Sequence, residues 1–325
     1  MSKKMLSVLV VLLICSATNE RILAQTKYPE KPIEALVQYA PGASTDAAAR
    51  VMAEFLAKQL GQPVVIMNKP GGAGSIAGNA LVKAKPDGYT LGFFNTNQPT
   101  PEYCMNPERF TYKSKDMIAV SQWSGYAPGM FVRYDAPWNS VAEFVEHAKK
   151  NPDKLKWGHS GRGNMWWIIG SVFVEQFGLK MADVPFEGDG QNMTALLGSH
   201  IDMSVLTCAA GTVAQMEAKK LKPLFLATAK RLELVPNVPT AEEAGVSLGI
   251  PDIYLGTFVP KGTPKEIVLR LSEATKKVTE DPMFKERMRK IWFPVWYRDT
   301  KDFEDLVEKF GKIQGKYLKQ FGILQ

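Results

Sequence analysis

The sequence predicts an α/β protein folded into two lobes that meet at a hinge. Three observations lead there. Residues 33–94 alternate strand, helix, strand, helix, strand at the spacing of a parallel sheet with helices on its faces. A second run of strand and helix signals spans 155–228, and a strand at 254–259 brings the chain back to the first lobe. About 300 mature residues also exceed what one hydrophobic core usually serves. An apolar share of 45% with 22% charged residues fits a compact chain and excludes wholesale disorder.

The first residues set the compartment. Lys3 and Lys4 precede an apolar run from Leu6 to Ile14, and the small residues Cys15, Ser16 and Ala17 follow. A basic start, a short apolar stretch and a small-x-small exit describe a secretory leader over 1–24, with cleavage after Ala17 or after Ala24. The run is too short to span a bilayer, which needs about 20 apolar residues. Bulky Ile14 makes Cys15 a poor lipid anchor. No later stretch reads as a transmembrane helix, so the mature protein is expected to be soluble and periplasmic.

A strand at 33–40 ends in Pro41-Gly42. Ser44 or Thr45 then caps a helix that carries Asp46 in its first turn and stops at Gly61. Ala48, Val51, Met52, Phe55 and Leu56 form its apolar stripe. A strand at 64–67, the loop Gly71-Gly72-Ala73-Gly74, a helix from Ser75 or Ile76 to Ala84 and a strand at 89–94 complete the first unit. The pattern loosens around Pro99, Pro101 and Pro107. Strands return at 117–122 and 129–133, and Ser140 with Glu143 makes a capping box.

A strand at 155–158 runs into the loop Ser160 to Asn164 and an apolar helix over 165–177. A strand at 184–186, the turn Gly188-Asp189-Gly190, a helix through Leu197, and strands at 201–206 and 224–228 follow. Thr240 with Glu243 is expected to cap a short helix. Thr263-Pro264-Lys265-Glu266 combines a cap, a first-turn proline and a reciprocal glutamate. The last helix stripes Phe303, Leu306, Val307, Phe310, Ile313 and Tyr317. The chain is expected to leave the first lobe near Trp123 and return near Asp252. That gives one lobe of 25–124 plus 251–325 and another of 125–250.

Four loops share one chemistry. Residues 43–46, 72–75, 161–164 and 189–192 each follow a strand and open a helix. Helix N-termini expose unpaired N–H groups and a partial positive charge, so they bind anions without a cationic side chain. Any one such loop is an ordinary capped helix; four in two lobes point to a carboxylate in the cleft at the strands' carboxyl ends.

Enzyme readings find no support. Gly72, Gly74 and Gly78 make only a weak dinucleotide pattern, and no acidic residue ends the next strand. The stretch Gly158-His159-Ser160-Gly161-Arg162 lacks the glycine spacing of a nucleophile elbow. The chain has three histidines, His147, His159 and His200, none with metal-ligand spacing, so neither a metal nor a cofactor is expected. Cys104 and Cys208 lack such spacing too, and nothing dictates that they pair. Losing Lys3 and Lys4 with the leader lowers the net charge from +7 to +5, spread over mixed helix faces rather than a nucleic-acid stripe.

At these loops the chain resembles a known family. Tyr28-Pro29-Glu30-Lys31-Pro32-Ile33, Ala40-Pro41-Gly42-Ala43-Ser44-Thr45-Asp46 and Asn68-Lys69-Pro70-Gly71-Gly72-Ala73-Gly74 closely resemble the substrate-binding proteins of tripartite tricarboxylate transporters, the Bug receptors. Lys85-Pro86-Asp87-Gly88-Tyr89, Leu196-Leu197-Gly198 and Val259-Pro260-Lys261-Gly262 continue the match over the whole mature chain. The resemblance implies a two-lobed periplasmic binding fold (type II-like), with a hinge and an interlobe ligand cleft. It implies capture of a small organic carboxylate and delivery to membrane permease subunits. Carried over, ligand contacts fall to Gly42, Ala43, Ser44 and Asp46, and to Ala73, Gly74 and Ser75. From the second lobe they fall to Ser160, Gly161, Asn164, Asp189 and Thr207.

Four departures bear on specificity. Ala43 replaces a usual glycine, Asn164 a small hydroxyl residue, and Ser204 to Cys208 lack a usual acidic residue. Trp166 and Trp167 stand where smaller residues are common, which suggests a bulkier or more apolar acid than malate or citrate. The same residues would serve an extracytoplasmic sensor that signals to a kinase; neighbouring genes discriminate the two.

Overall fold

The computed structural model describes residues 28–96 and 98–324, so the leader expected at 1–24 lies outside the described residues. Among the described residues ten strands build two five-stranded sheets. The first holds β1 (Ile33–Val37), β2 (Val64–Asn68), β3 (Thr90–Phe94), β4 (Met117–Tyr126) and β10 (Ile253–Pro260), in the order β2-β1-β3-β10-β4. The second holds β5 (Pro128–Arg133), β6 (Lys156–His159), β7 (Ala182–Pro185), β8 (Met203–Thr207) and β9 (Leu221–Leu226), in the order β7-β6-β8-β5-β9.

Helices connect and cover the strands. They are α1 (Ser44–Leu60), α2 (Ser75–Val82), α3 (Val141–Lys150), α4 (Met165–Gln176), α5 (Asp189–Leu197), α6 (Ala210–Glu217), α7 (Lys265–Glu280), α8 (Pro282–Lys290) and α9 (Thr300–Gln320). Helix α6 and the break between α7 and α8 were not foreseen from the sequence. Asp281 makes that break: it leaves helical geometry, and its side chain accepts the N–H groups of Met283 and Phe284 ahead of Pro282.

The fold is α/β, as the alternation predicts, but neither sheet is all parallel. β1 pairs parallel with β2 and β3, whereas β10 runs antiparallel between β3 and β4. In the second sheet β6 is parallel to β7 and β8, and β5 is antiparallel to β8 and β9. In each sheet one long-range strand enters against the direction of the βαβ unit, and no local signal carries that direction. β4 is longer than expected because Ser124 to Tyr126 pair with Ile253 to Leu255, and the chain passes to the second sheet at Ala127.

Strand periodicity divides the core. On β5, Met130 and Val132 join the main cluster, which runs through the first sheet, while Phe131 faces a second cluster with Leu196, Ile201 and Leu206. Helix α4 is apolar nearly all round because it is wedged between the second sheet and α9.

Two expected caps behave differently. Thr240 and Glu243 exchange both capping-box hydrogen bonds, but the chain makes only a turn there, with Thr240 also bridging to Leu226. Thr263 turns its hydroxyl to the Pro260 carbonyl, so α7 starts without a side-chain cap. Among the described residues no helix is long and apolar enough to cross a membrane. Cys104 and Cys208 are both free and buried.

Candidate functional site

The carboxyl ends of β1 and β3 in the first sheet and of β6 and β8 in the second converge on one cleft of about 560 Å³. Each of these strands is parallel to a neighbour and feeds a loop or helix start, so backbone amides and polar side chains gather there.

The first loop is organised by Asp46. Its Oδ2 accepts the Gly42 N–H at 2.9 Å and Arg50 Nε at 2.9 Å, and its Oδ1 accepts Asn68 Nδ2 at 2.8 Å. Burial opposes its ionisation, yet the bonds from Arg50, Asn68 and Gly42 outweigh that and hold the carboxyl below its usual range. Asp46 therefore replaces the side-chain cap expected from Ser44 or Thr45: the N-cap is Ala43, with no cap bond of its own. Thr45 instead shares a 2.6 Å hydrogen bond with the Tyr126 hydroxyl. The first-turn amides of α1 have no acceptor in their own helix, and Ala43, Ser44 and Thr45 line the cleft.

Beneath them lies a neutral polar floor. Gln38 Nε2 donates to Asn95 Oδ1 at 2.9 Å, and Asn95 Nδ2 donates to the Tyr39 hydroxyl at 3.1 Å. Burial raises both the Tyr39 and Tyr126 phenols, so they stay protonated hydrogen-bonding groups.

The second loop depends on glycine. Gly71, Gly72 and Gly74 all have positive φ, and a Cβ on Gly74 would stand 1.6 Å from Gln98 Nε2. Gly74 and Gln98 both line the cleft, so backbone and amide are in close approach there.

The third loop hangs on Asp183. Arg162 donates to both of its oxygens at 2.8 and 2.9 Å, Trp167 Nε1 donates at 3.2 Å, and His159 Nε2 lies 3.4 Å away. His159 Nδ1 accepts the Gly161 N–H at 3.2 Å, which puts the ring proton on Nε2. Burial lowers the His159 pKa and keeps the ring neutral. Asn164 caps α4 by accepting the Trp167 N–H at 3.0 Å, and its amide nitrogen donates to the Ser160 carbonyl at 2.7 Å. At the fourth loop, Asp189 Oδ2 accepts the Thr207 N–H at 2.9 Å, while Trp166 Nε1 donates to Thr207 Oγ1 at 3.1 Å. Burial pushes the Asp189 carboxyl up.

Of the expected contact residues, Ala43, Ser44, Gly74 and Ser160 line the cleft, as do Gly161, Asn164, Asp189 and Thr207. Asp46 and Ser75 are buried and, like the exposed Gly42, are not lining residues, while the Ala73 side chain lies outside the described residues. The two tryptophans separate. Trp166 lines the cleft, whereas Trp167 is 6% exposed and packs edge-on against Phe321 of the C-terminal segment at 5.3 Å.

Sequence reasoning missed Gln38, Tyr39, Asn95, Thr96, Gln98 and Tyr126. The polar run after β3 was the available signal, because ligands sit at strand carboxyl ends. Met105 and Phe110 reach the cleft from the proline-rich segment, which carries no such signal. Among the described residues no group of three or more His, Cys, Asp or Glu is placed to hold a metal ion. The arrangement offers helix-start amides, neutral donors and an aromatic wall to a small polar molecule.

The model of the tripartite tricarboxylate transporter family receptor matches residues 48–323. A UPF0065 protein in the gbd 5′ region of Cupriavidus necator is 30% identical over 304 residues, covering 91% of this chain and 89% of that one. A TctC solute-binding protein from Polaromonas, solved without ligand, superposes with a TM-score of 0.78 at 28% identity, covering 90% of this chain and 99% of its own. The R. palustris protein Rpa4515, solved with adipate, has a TM-score of 0.78 at 25% identity, covering 91% and 98%. These matches extend over both sheets, and the fold is the two-lobed periplasmic binding protein fold with its cleft between the lobes.

Proposed function

This chain belongs to the tripartite tricarboxylate transporter receptor family, and from that premise we propose that it captures a small organic carboxylate in the cleft and delivers it to the permease subunits of such a transporter. The observation that carries the reading is the make-up of the cleft. Helix N-termini from both sheets open onto it, and among the described residues its one cationic side chain, Arg162, is engaged by Asp183. An anion held there is held by backbone N–H groups and neutral donors, which suits a carboxylate. The adipate in Rpa4515 supports the same ligand class.

The first-turn amides after Ala43 and the loop at Gly74 grip the carboxylate, with Gly42, Asp46, Ala73 and Ser75 shaping those loops. Ser160, Gly161, Asn164, Asp189 and Thr207 close over it from the second lobe, and Trp166 sets the apolar wall that favours a bulkier acid. The lobes are 25–124 plus 251–325 and 125–250. Contacts made only in the closed form shift the population toward closure. The leader over 1–24 exports the protein to the periplasm, where it performs no chemistry on its ligand.

A thermal-shift screen of the mature protein against mono-, di- and tricarboxylates, with sugars, amines and nucleotides as controls, tests the reading. A ligand at a hundredfold excess over its Kd stabilises by about 2.7 kcal/mol, which moves the melting point by a few degrees. Shifts confined to acids are expected. A shift from a non-acidic control, with none from any acid, overturns it.

A further inference from the structure

The cleft is asymmetric in charge in a way that bears on the ligand's second functional group. Its ionisable wall residues with acidic side chains are Glu187 and Asp189, both on the second-sheet side. Arg162 faces Asp183 instead, donating to both carboxylate oxygens. Among the described residues no lysine or histidine lines the cleft. Asp189 is thus a carboxylate that lines the ligand space, with one oxygen on the Thr207 N–H and, among the described residues, no cation paired with it.

Asp189 is held in place rather than free to swing out. It is the first residue of α5, and Thr207, which it accepts from, is itself tied to Trp166 through its hydroxyl. The Thr207 carbonyl in turn accepts the Thr212 hydroxyl at 2.7 Å. Burial raises the Asp189 carboxyl against the hydrogen bonds from Thr207 and Ser160, and burial together with the Asp189 charge raises the Tyr39 phenol across the cleft. The Thr207 and Ser160 groups satisfy part of this half-buried carboxylate, and each acceptor position left over is costly unless a ligand donates to it. A second carboxylate placed there would add like charge to a site whose lining cation, Arg162, is already paired with Asp183.

We infer that the ligand is an acid that also carries a hydrogen-bond donor, an ammonium or a hydroxyl, and that Asp189 accepts from it. This rests on the carboxylate reading and names the chemistry of the ligand's other end. The acid group lies against the first-sheet amides and the donor lies against Asp189, so the molecule is bound in one orientation. A plain dicarboxylate such as adipate fits the first half of the cleft and is repelled by the second. Asp189 is a specificity residue, and the favoured class is amino- or hydroxy-substituted acids.

The test is a calorimetric series of acids matched in length and differing at one position only: methyl, hydroxyl, ammonium or carboxylate. On the wild type, hydroxyl or ammonium acids are expected to bind about tenfold or more tightly than the methyl analogue, the usual worth of a hydrogen bond to a charged group, and the dicarboxylate weakest. The Asp189→Asn variant keeps an acceptor for the Thr207 N–H but loses the charge. It should collapse the ammonium preference to within about threefold and bring the dicarboxylate up. If wild-type protein binds the methyl or dicarboxylate acid as tightly as its donor-bearing partner, the inference falls and the carboxylate reading stands. A donor preference that survives Asp189→Asn also overturns it, by putting the donor elsewhere. If no acid binds while a neutral control does, both fall together.

Discussion

The two walls of the cleft do opposite things with the same loop geometry. On the first-sheet side the polar groups are neutral: the Gln38–Asn95–Tyr39 chain, the Thr45–Tyr126 pair and the amides of α1. Its one carboxylate, Asp46, is turned away from the ligand space and consumed by Gly42, Arg50 and Asn68. On the second-sheet side an acid is left facing in at Asp189, and the cation that would neutralise it is spent on Asp183. One wall therefore offers neutral donors and amides and the other an acidic acceptor, although both begin as a strand entering a helix. Where the charged side chains point, rather than the helix starts themselves, sets the difference.

The largest break in that comparison comes from the first wall. Gly74→Val needs a positive φ that valine resists and pushes a side chain into Gln98. Losing two amide bonds to a carboxylate, each worth about 1.5–3 kcal/mol, weakens affinity by more than about a hundredfold. Calorimetry on a variant with an unchanged circular dichroism spectrum checks this, and undiminished binding would place the carboxylate elsewhere.

Next comes the pair of tryptophans. Trp167→Ala empties a buried site and should cost about 3 kcal/mol in urea unfolding, with the ligand rank order intact. Trp166→Ala should do the reverse, altering the rank order with a smaller loss of stability. Equal effects from both would remove the distinction between a cleft wall and a packed core.

Asp46→Ala should cost about 2 kcal/mol, because three donors lose a buried acceptor. The ionised form is favoured in the fold, so this stability is present above the unfolded value of about 3.9 and is lost as pH falls through the lower folded value. Acid titration of the wild type should show that loss, and Asp46→Asn should flatten it.

The smallest effect concerns His159 on the second wall. Its folded pKa is depressed, so the neutral ring contributes stability above its unfolded value of about 6.5, and that contribution falls as pH drops below it. Melting temperature followed from neutral to mildly acidic pH should decline, with a shallower slope in His159→Gln. Identical slopes would mean that the Gly161 N–H does not depend on a neutral imidazole.

Much of this was legible without coordinates. The Gly61 stop of α1 follows from its left-handed backbone, and the Ser140 cap accepts the Glu143 N–H as its spacing requires. These depend on neighbours within four residues, which the sequence displays directly. The same logic misjudged Thr263 and the Thr240 turn, because a hydroxyl or a short turn takes whichever partner the fold brings near. The polar floor was hidden for the same reason. Gln38 and Asn95 meet only because β1 and β3 are neighbours in a sheet.

By itself, then, the sequence determined the α/β alternation, the four loops that open helices and the glycines that let a ligand approach them. Periodicity and turn chemistry are local and survive translation into structure. Tertiary structure alone decided the antiparallel entry of β10 and β5, the pairing of Arg162 with Asp183, the burial of Asp46, and which tryptophan lines the cleft. Adjacent residues on an α-helix point about 100° apart, so Trp166 and Trp167 must face different surroundings, but only the docking of α4 between the second sheet and α9 fixes which is which.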